Sequence, residues 1–235
     1  MLEENIKKIL NNFMIDYYGV ADISEYESEI IKYGGELVAG YPRAISMGIE
    51  FPSTIVDHLN DSNNIVKIEY DHCYEVINNR LDNIASVISS YINKEGYRAL
   101  PISAAERVNS DYINAAFSHK LAARLAGHGW IGKNCLLITP DHGPRVRWIS
   151  VLTDAPLNVT GKKMEQKCGS CMACVKICPT KSLHGRNYKE GEEREERFDV
   201  KKCDRYFNEM KNNEEVPVCG MCLYVCPYGR KKIHS

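Results

Sequence analysis

Leu2, Ile6, Ile9, Leu10 and Phe13 recur at the spacing of one helical face, so the chain is expected to open with an amphipathic helix. The run YYGVADI (17–23) reads as a strand. Ser24, with Glu27 three residues on, has the spacing of a capping box and predicts a second helix starting there. AISMGIEF (44–51) is apolar at most positions instead of alternating, which suits a strand in a sheet covered on both faces. Ile77, Leu81, Ile84, Ile88 and Ile92 form the stripe of a long helix that stops near Gly96, and RALPIS (98–103) is expected to be another strand. FSHKLAARLA (117–126) predicts a short helix stopped by Gly127, with GHGWIGKN directly after it. NCLLIT (134–139) and VRWISVLT (146–153), joined through PDHG, are expected to pair as a hairpin. Strands and helices come in mixed order, so the expected fold class is α+β, or α/β, with a central sheet.

The chain has 235 residues, which suits one large domain or two unequal ones. Apolar residues make up 44% and charged ones 26%, ordinary globular usage that argues against a disordered or fibrous chain. No stretch of 18 apolar residues predicts a membrane span, and MLEENIKKIL carries acidic residues where a secretory signal has an apolar run. A cytoplasmic location without membrane partners is expected. The net charge of −1 gives no whole-protein electrostatic case for nucleic acid. From Asn158 onward 16 Lys+Arg stand against 11 Asp+Glu, and the remainder has 14 against 20. Two four-thiolate clusters would largely cancel that local surplus.

Eight of the ten cysteines fall between Cys168 and Cys226. In a chain neither small nor visibly secreted, such clustering points to metal rather than to disulfides. Cys168, Cys171, Cys174, Cys178 and Pro179 follow C-x2-C-x2-C-x3-C-P, the spacing of bacterial ferredoxins, in which the fourth cysteine serves a different cluster from the first three. Cys219, Cys222 and Cys226 before Pro227 repeat the pattern without its first member, which Cys203 supplies from upstream. Crossing the fourth ligands gives one [4Fe–4S] cluster on Cys168, Cys171, Cys174 and Cys226, and a second on Cys203, Cys219, Cys222 and Cys178. Two zinc knuckles are the alternative, although this run is rare among zinc sites. Cys73 and Cys135 lie outside both runs and are expected to be ordinary buried thiols. The charge-rich stretch GEEREER within residues 185–202 is expected to be a solvated connector between the two motifs.

The combination of AARLAGHGWIGKNCLLI, GPRVRWISVLTDAPL, the C-x2-C-x2-C-x3-C-P-T run, CDRYF and C-x2-C-x3-C-P resembles the epoxyqueuosine reductase family, itself more distantly related to the reductive dehalogenases. The likeness covers roughly Tyr41 to Lys232. It implies a body of nitroreductase-like fold (1–160) holding cobalamin, with a ferredoxin-like domain of two [4Fe–4S] clusters (161–235) delivering electrons from a low-potential donor. In the family cobalamin is bound without a histidine on cobalt, and none of the seven histidines here sits in a D-x-H-x-x-G arrangement. Carried over by segment, the resemblance assigns Asn134, Leu137, Trp148, Arg205 and Tyr206 to the corrin pocket. Lys133 is either an anion contact or a surface lysine.

Two departures bear on the substrate. The family's proton-donating aspartate falls at Ile113, which cannot donate a proton. Asp111 and Tyr112 are the replacement candidates, and Tyr112 is preferred because a phenol of ordinary pKa near 10 stays protonated at neutral pH. The chain also ends nine residues after Cys226, without the helical-repeat extension of longer members. Three functions are therefore expected in order: a cobalamin- and [4Fe–4S]-dependent reductase of unassigned substrate, epoxyqueuosine reduction in tRNA itself, and a ferredoxin-type electron carrier or corrinoid-reactivating protein.

Overall fold

A computed structural model describes residues 2–61, 63–109 and 113–230. Helix α1 (Leu2–Asn12) leads into strand β1 (Tyr17–Asp22), helix α2 (Glu27–Gly34), strand β2 (Arg43–Glu50), the short helix α3 (Ser53–Asp57) and the long helix α4 (Asn64–Lys94). Strand β3 (Ala99–Ile102), helix α5 (His119–Leu125), the two-residue strands β4 (Trp130–Ile131) and β5 (Leu137–Ile138) and strand β6 (Val146–Thr153) follow. Helices α6 (Ala173–Ile177), α7 (Val200–Asn212) and α8 (Met221–Tyr224) carry the cysteine-rich segment. The architecture is mixed helix and sheet. Among the described residues no helix is long and apolar enough to cross a membrane.

The chain divides into two compact units, each assembled from separate stretches. The first comprises residues 1–49, 77–128 and 147–164; the second comprises 50–76, 129–146 and 165–235. The cysteine-rich tail thus does not stand alone, because two stretches from the first 160 residues pack with it.

In the first unit four strands lie in the order β1-β2-β6-β3, with β1 antiparallel to β2 and β3 antiparallel to β6. The near-continuous apolar runs of β2 and β6 are buried along almost their whole length, as strands covered on both faces must be. On one face Ala21, Ala44, Ile102 and Leu152 form a core with Ala122 and Leu125 of α5. On the other, Arg147 reaches across to Asn78 of α4 at 3.0 Å, and Leu81, Ile84, Ile88 and Ile92 are fully buried.

Three expected elements come out differently. Ser24 does not cap a helix: its N–H bonds to the Asp22 carboxylate at 3.0 Å, residues 24–26 form a 3-10 turn, and Glu27 accepts instead from the Gly40 N–H at 2.9 Å. Helix α4 begins at Asn64, well before the buried stripe that betrayed it, since Ile65, Ile68 and Val76 in its first half are exposed. The hairpin is also a different one. β5 pairs with β4, not with β6, because GWIGKNCLLI folds back on itself: Gly132 N–H bonds to Leu136 O at 2.8 Å, and Cys135 takes a left-handed φ of 58°. The PDHG turn forms, with Thr139 and Gly143 exchanging hydrogen bonds of 2.9 and 3.1 Å, but β6 then enters the four-stranded sheet between β2 and β3.

Candidate metal centre

Each C-x2-C segment is shaped by a left-handed glycine, Gly169 (φ 51°) after Cys168 and Gly220 (φ 64°) after Cys219. Glycine suits these turns because a side chain there would be strained. Each segment then enters a short helix, α6 or α8, and the two helices pack together. Both runs end at a Cys-Pro step, where Cys178 (φ −60°, ψ 114°) and Cys226 (φ −65°, ψ 121°) adopt nearly the same extended conformation, as the residue before proline must.

This backbone brings Cys168, Cys171, Cys174 and Cys226 around one cavity, which Lys133, Asn134, Ile138, Ala173, Pro227 and Tyr228 complete. Electrostatics groups the sulfurs in the same way. Burial pushes the Cys174 thiol up to about 11, and its next influences are the thiols of Cys168, Cys226 and Cys171. Cys203 is likewise pushed up to about 11 by burial, then by Cys219 and Cys178. Cys222 is raised by burial, then by Cys219 and Cys203, and it also feels Cys174 and Cys178, so the two groups of four adjoin. Cys178 is the exception: burial acts to raise it, but donors from Thr180 and from the backbone N–H groups of Ser182, Thr180 and Lys181 outweigh burial and lower it. Among the described residues no three Cys, His, Asp or Glu side chains converge tightly enough to grip a single metal ion. Sulfurs ringed around a cavity suit a cluster that spreads its ligands more widely.

Fragments from earlier in the chain pack with the cysteine-rich segment. Trp130 of β4 packs edge-on against Tyr228 at 4.8 Å between ring centroids. Gly143 lies so close to Gly229 that an added Cβ would stand 2.4 Å from its nitrogen, and Gly220 packs on Leu59 and Tyr70. The buried Arg145 pairs with Asp57 at 2.7 Å. The connector expected to be solvated is in part buried: Arg197 is 5% exposed and donates to the Cys135 sulfur at 3.3 Å, while Glu192 bonds to Arg186 at 3.4 Å. Cys135 is buried as expected, whereas Cys73 is only half-buried.

The other candidate residues are scattered. Asn134 is buried, with its amide donating to Cys222 O at 3.2 Å and its carbonyl accepting from Leu136 N–H, so the structure places it against the second cysteine run. Leu137 is buried in β5. Tyr206 lies near Cys219, and burial followed by that thiol raises its pKa; Arg205, its neighbour on α7, is exposed. Trp148 belongs to the first unit, where it stacks with His128 at 5.3 Å and meets Tyr17 at 5.3 Å. Asp111 and Tyr112 lie outside the described residues. Ile113 is described and has φ 50°, a conformation that β-branched residues rarely adopt. Lys133 was legible only as a lysine of uncertain use, and the structure shows it buried at the centre.

Residues 167–229 match the 4Fe-4S double cluster binding domain. That span holds all eight clustered cysteines. In sequence the chain is similar to epoxyqueuosine reductases, for instance that of Listeria monocytogenes, at 34% identity over 53% of this chain and 33% of the relative. In fold it is similar to a catabolic reductive dehalogenase (TM-score 0.73, 21% identity, covering 97% of this chain and 32% of that one). It is also similar to an epoxyqueuosine reductase solved with an epoxyqueuosine-modified tRNA-Tyr stem loop (TM-score 0.61, 16% identity, covering 99% of this chain and 67% of that one). The chain spans between about a third and somewhat over half of the length of the curated relatives it matches.

Proposed function

We propose that the chain is an iron–sulfur, cobalamin-dependent reductase of the epoxyqueuosine reductase type, with its own substrate still to be assigned. The observation that carries this reading is the sorting of eight cysteines into two adjoining groups of four. Cys168, Cys171, Cys174 and Cys226 would hold one [4Fe–4S] cluster, and Cys203, Cys219, Cys222 and Cys178 the other. The donor set fits, since thiolates are the ligands such clusters take. Cys174, Cys203 and Cys222 are held as neutral thiols by burial, so loading must release protons and will be favoured at higher pH.

A nitroreductase-like body over residues 1–160 and the corrin contacts expected of Asn134, Leu137, Trp148, Arg205 and Tyr206 form part of the proposal. Clusters supply single electrons from a low-potential donor, and cobalamin supplies the organometallic chemistry. The chain's own work is to hold these groups and to bring a proton, for which Tyr112 is the candidate and Asp111 its alternative. Epoxyqueuosine in tRNA is the first substrate to test, because the sequence relatives carry that name.

The test is an anaerobic preparation assayed for metal and then titrated with cobalamin. About eight iron and eight sulfide per chain are expected, with a saturable change in the cobalamin spectrum toward a base-off form. Zinc in place of iron, or a reproducible four-iron stoichiometry after reconstitution, would sink the two-cluster reading. No saturable binding below about millimolar, worth roughly 4 kcal/mol, would remove cobalamin from it.

A further inference from the structure

We propose that Lys133 raises the reduction potential of the cluster on Cys168, Cys171, Cys174 and Cys226. This rests on the two-cluster reading above and adds to it a residue that sets how readily the electron is accepted.

Lys133 sits in the tight turn between β4 and β5 and is only 6% exposed. Its ammonium donates to Gly169 O at 2.8 Å and to Cys171 O at 3.1 Å, and it lies 3.6 Å from the Met172 sulfur. These partners occupy all three of its donors. All three lie in the loop that presents Cys168, Cys171 and Cys174, and Lys133 lines the same cavity as the four cysteines. The next residue, Asn134, ties the same turn to Cys222 O. The turn is fixed by Gly132 N–H on Leu136 O, so the ammonium is held in place and not left to wander.

The recorded partners are carbonyls and a thioether, none of which carries a countercharge. Burying a cation with only neutral partners is costly, and the negative group this one faces is the four-thiolate site itself. Such a site becomes one unit more negative when it takes up an electron, with no bond made or broken and no proton required. A fixed positive charge beside it therefore favours the reduced form. Electron acceptance by this cluster is easier, and passage onward less steeply downhill, than the thiolate set alone would allow.

The experiment is a redox titration of the whole protein against a low-potential chemical reductant, followed by electron paramagnetic resonance, with iron and sulfide assayed on every sample. Lys133→Met removes the charge at similar length, and Lys133→Arg keeps it. Cys171→Ser, which weakens the first cluster alone, assigns the two signals. In Lys133→Met the reduced-to-oxidised ratio of the first cluster at a fixed potential should fall about tenfold, a shift of about 59 mV toward more negative values for a one-electron couple. Lys133→Arg should stay within about threefold of wild type, and the second cluster should move less than the first. An unchanged first cluster in Lys133→Met with full iron content would overturn the proposal, as would equal movement of both clusters. If Lys133→Met and Lys133→Gln both lose the first cluster, Lys133 is needed for assembly and the tuning role is refuted. Wild-type protein lacking two clusters would fail the underlying reading instead, and the iron assay shows that before any potential is measured.

Discussion

Cys178 differs from its neighbours in how its sulfur is held: Thr180 Oγ1 stands 3.3 Å away, and backbone N–H groups of the following turn also point at it. Donors of that kind stabilise a thiolate and therefore suit a ligand. Cys178→Ala should damage the cluster of Cys203, Cys219 and Cys222, with iron falling from about eight toward about four per chain while the signal of the Cys168 cluster survives. Selective loss of the Cys168 cluster would refute the crossing. Two histidines of the first unit make a separate prediction. Burial pushes His119 down to about 4, opposed by its hydrogen bond to Ser103 O and reinforced by Arg147 and Lys120, and burial pushes His128 down to about 4 as well. His119 accepts from or donates to Ser150 Oγ at 3.0 Å on its other nitrogen, so the neutral ring is fully bonded. Because the folded pKa lies below the unfolded value near 6.5, the unfolded chain binds more protons between those limits. Stability is then complete above about pH 6.5 and is lost as pH falls toward 4, by up to about 1.4 kcal/mol per pH unit per histidine. Hydrogen-exchange protection of the β1-β2-β6-β3 sheet, followed from pH 7 to 4.5, should fall accordingly, and His119→Gln should flatten the fall. A profile with no slope in that window would show these rings to be open to solvent.

At the scale of elements, the β4–β5 hairpin is the piece on which the centre depends. An added Cβ at Gly129 would lie 2.0 Å from Ile138 O, a backbone atom that cannot swing aside. Gly129→Ala should therefore cost about 1–3 kcal/mol. Gly96, with φ 90° and nothing within 4 Å, provides the control: Gly96→Ala should cost only the left-handed conformational penalty of about 1 kcal/mol. Urea unfolding of both variants checks the ranking, and equal midpoints would mean the hairpin yields without strain. This hairpin was the element least legible in the sequence. VRWISVLT carries the strongest strand pattern downstream of GWIGKN and so invited pairing across PDHG. What decides otherwise is tertiary: β6 is wanted at the middle of the sheet, and the glycines of GWIGKN permit a turn that periodicity does not register. The start of α4 was hidden for a related reason, since its first half lacks the buried stripe from which a helix is recognised. The two cysteine runs stood out because their spacing is local, with neighbouring cysteines two or three residues apart. The hydrogen bonds of Lys133 and Asn134 were not legible, because they reach segments 36 to 88 residues away in the chain.

For the whole molecule, the division into interleaved units explains why a cut near residue 160 does not isolate the cysteine-rich part. Residues 50–76 and 129–146 pack into the unit that holds the cysteines. A tail expressed alone would lack Trp130, Lys133 and Asn134. In the proposed reading, the substrate turns on the proton as much as on the electrons. Where the resemblance expects an acid, Ile113 stands, in a left-handed conformation that costs an isoleucine more than it costs an aspartate. Ile113→Asp should thus be tolerated by the fold. If epoxyqueuosine in tRNA is the substrate, the variant should turn over faster than wild type by about a hundredfold, the usual scale for gaining a general acid. The assay is reduction of epoxyqueuosine-containing tRNA under anaerobic conditions with added cobalamin and a strong chemical reductant, at matched iron and corrinoid content. The wild type should be slow, well below the roughly one to a thousand turnovers per second of ordinary enzymes. Wild-type turnover in that range would show that Ile113 is no obstacle and that another group, Tyr112 or Asp111, already delivers the proton, which Tyr112→Phe and Asp111→Asn would then separate. A slow wild type with an equally slow Ile113→Asp would point away from epoxyqueuosine and toward a substrate whose reduction this chain's own acid is placed to serve.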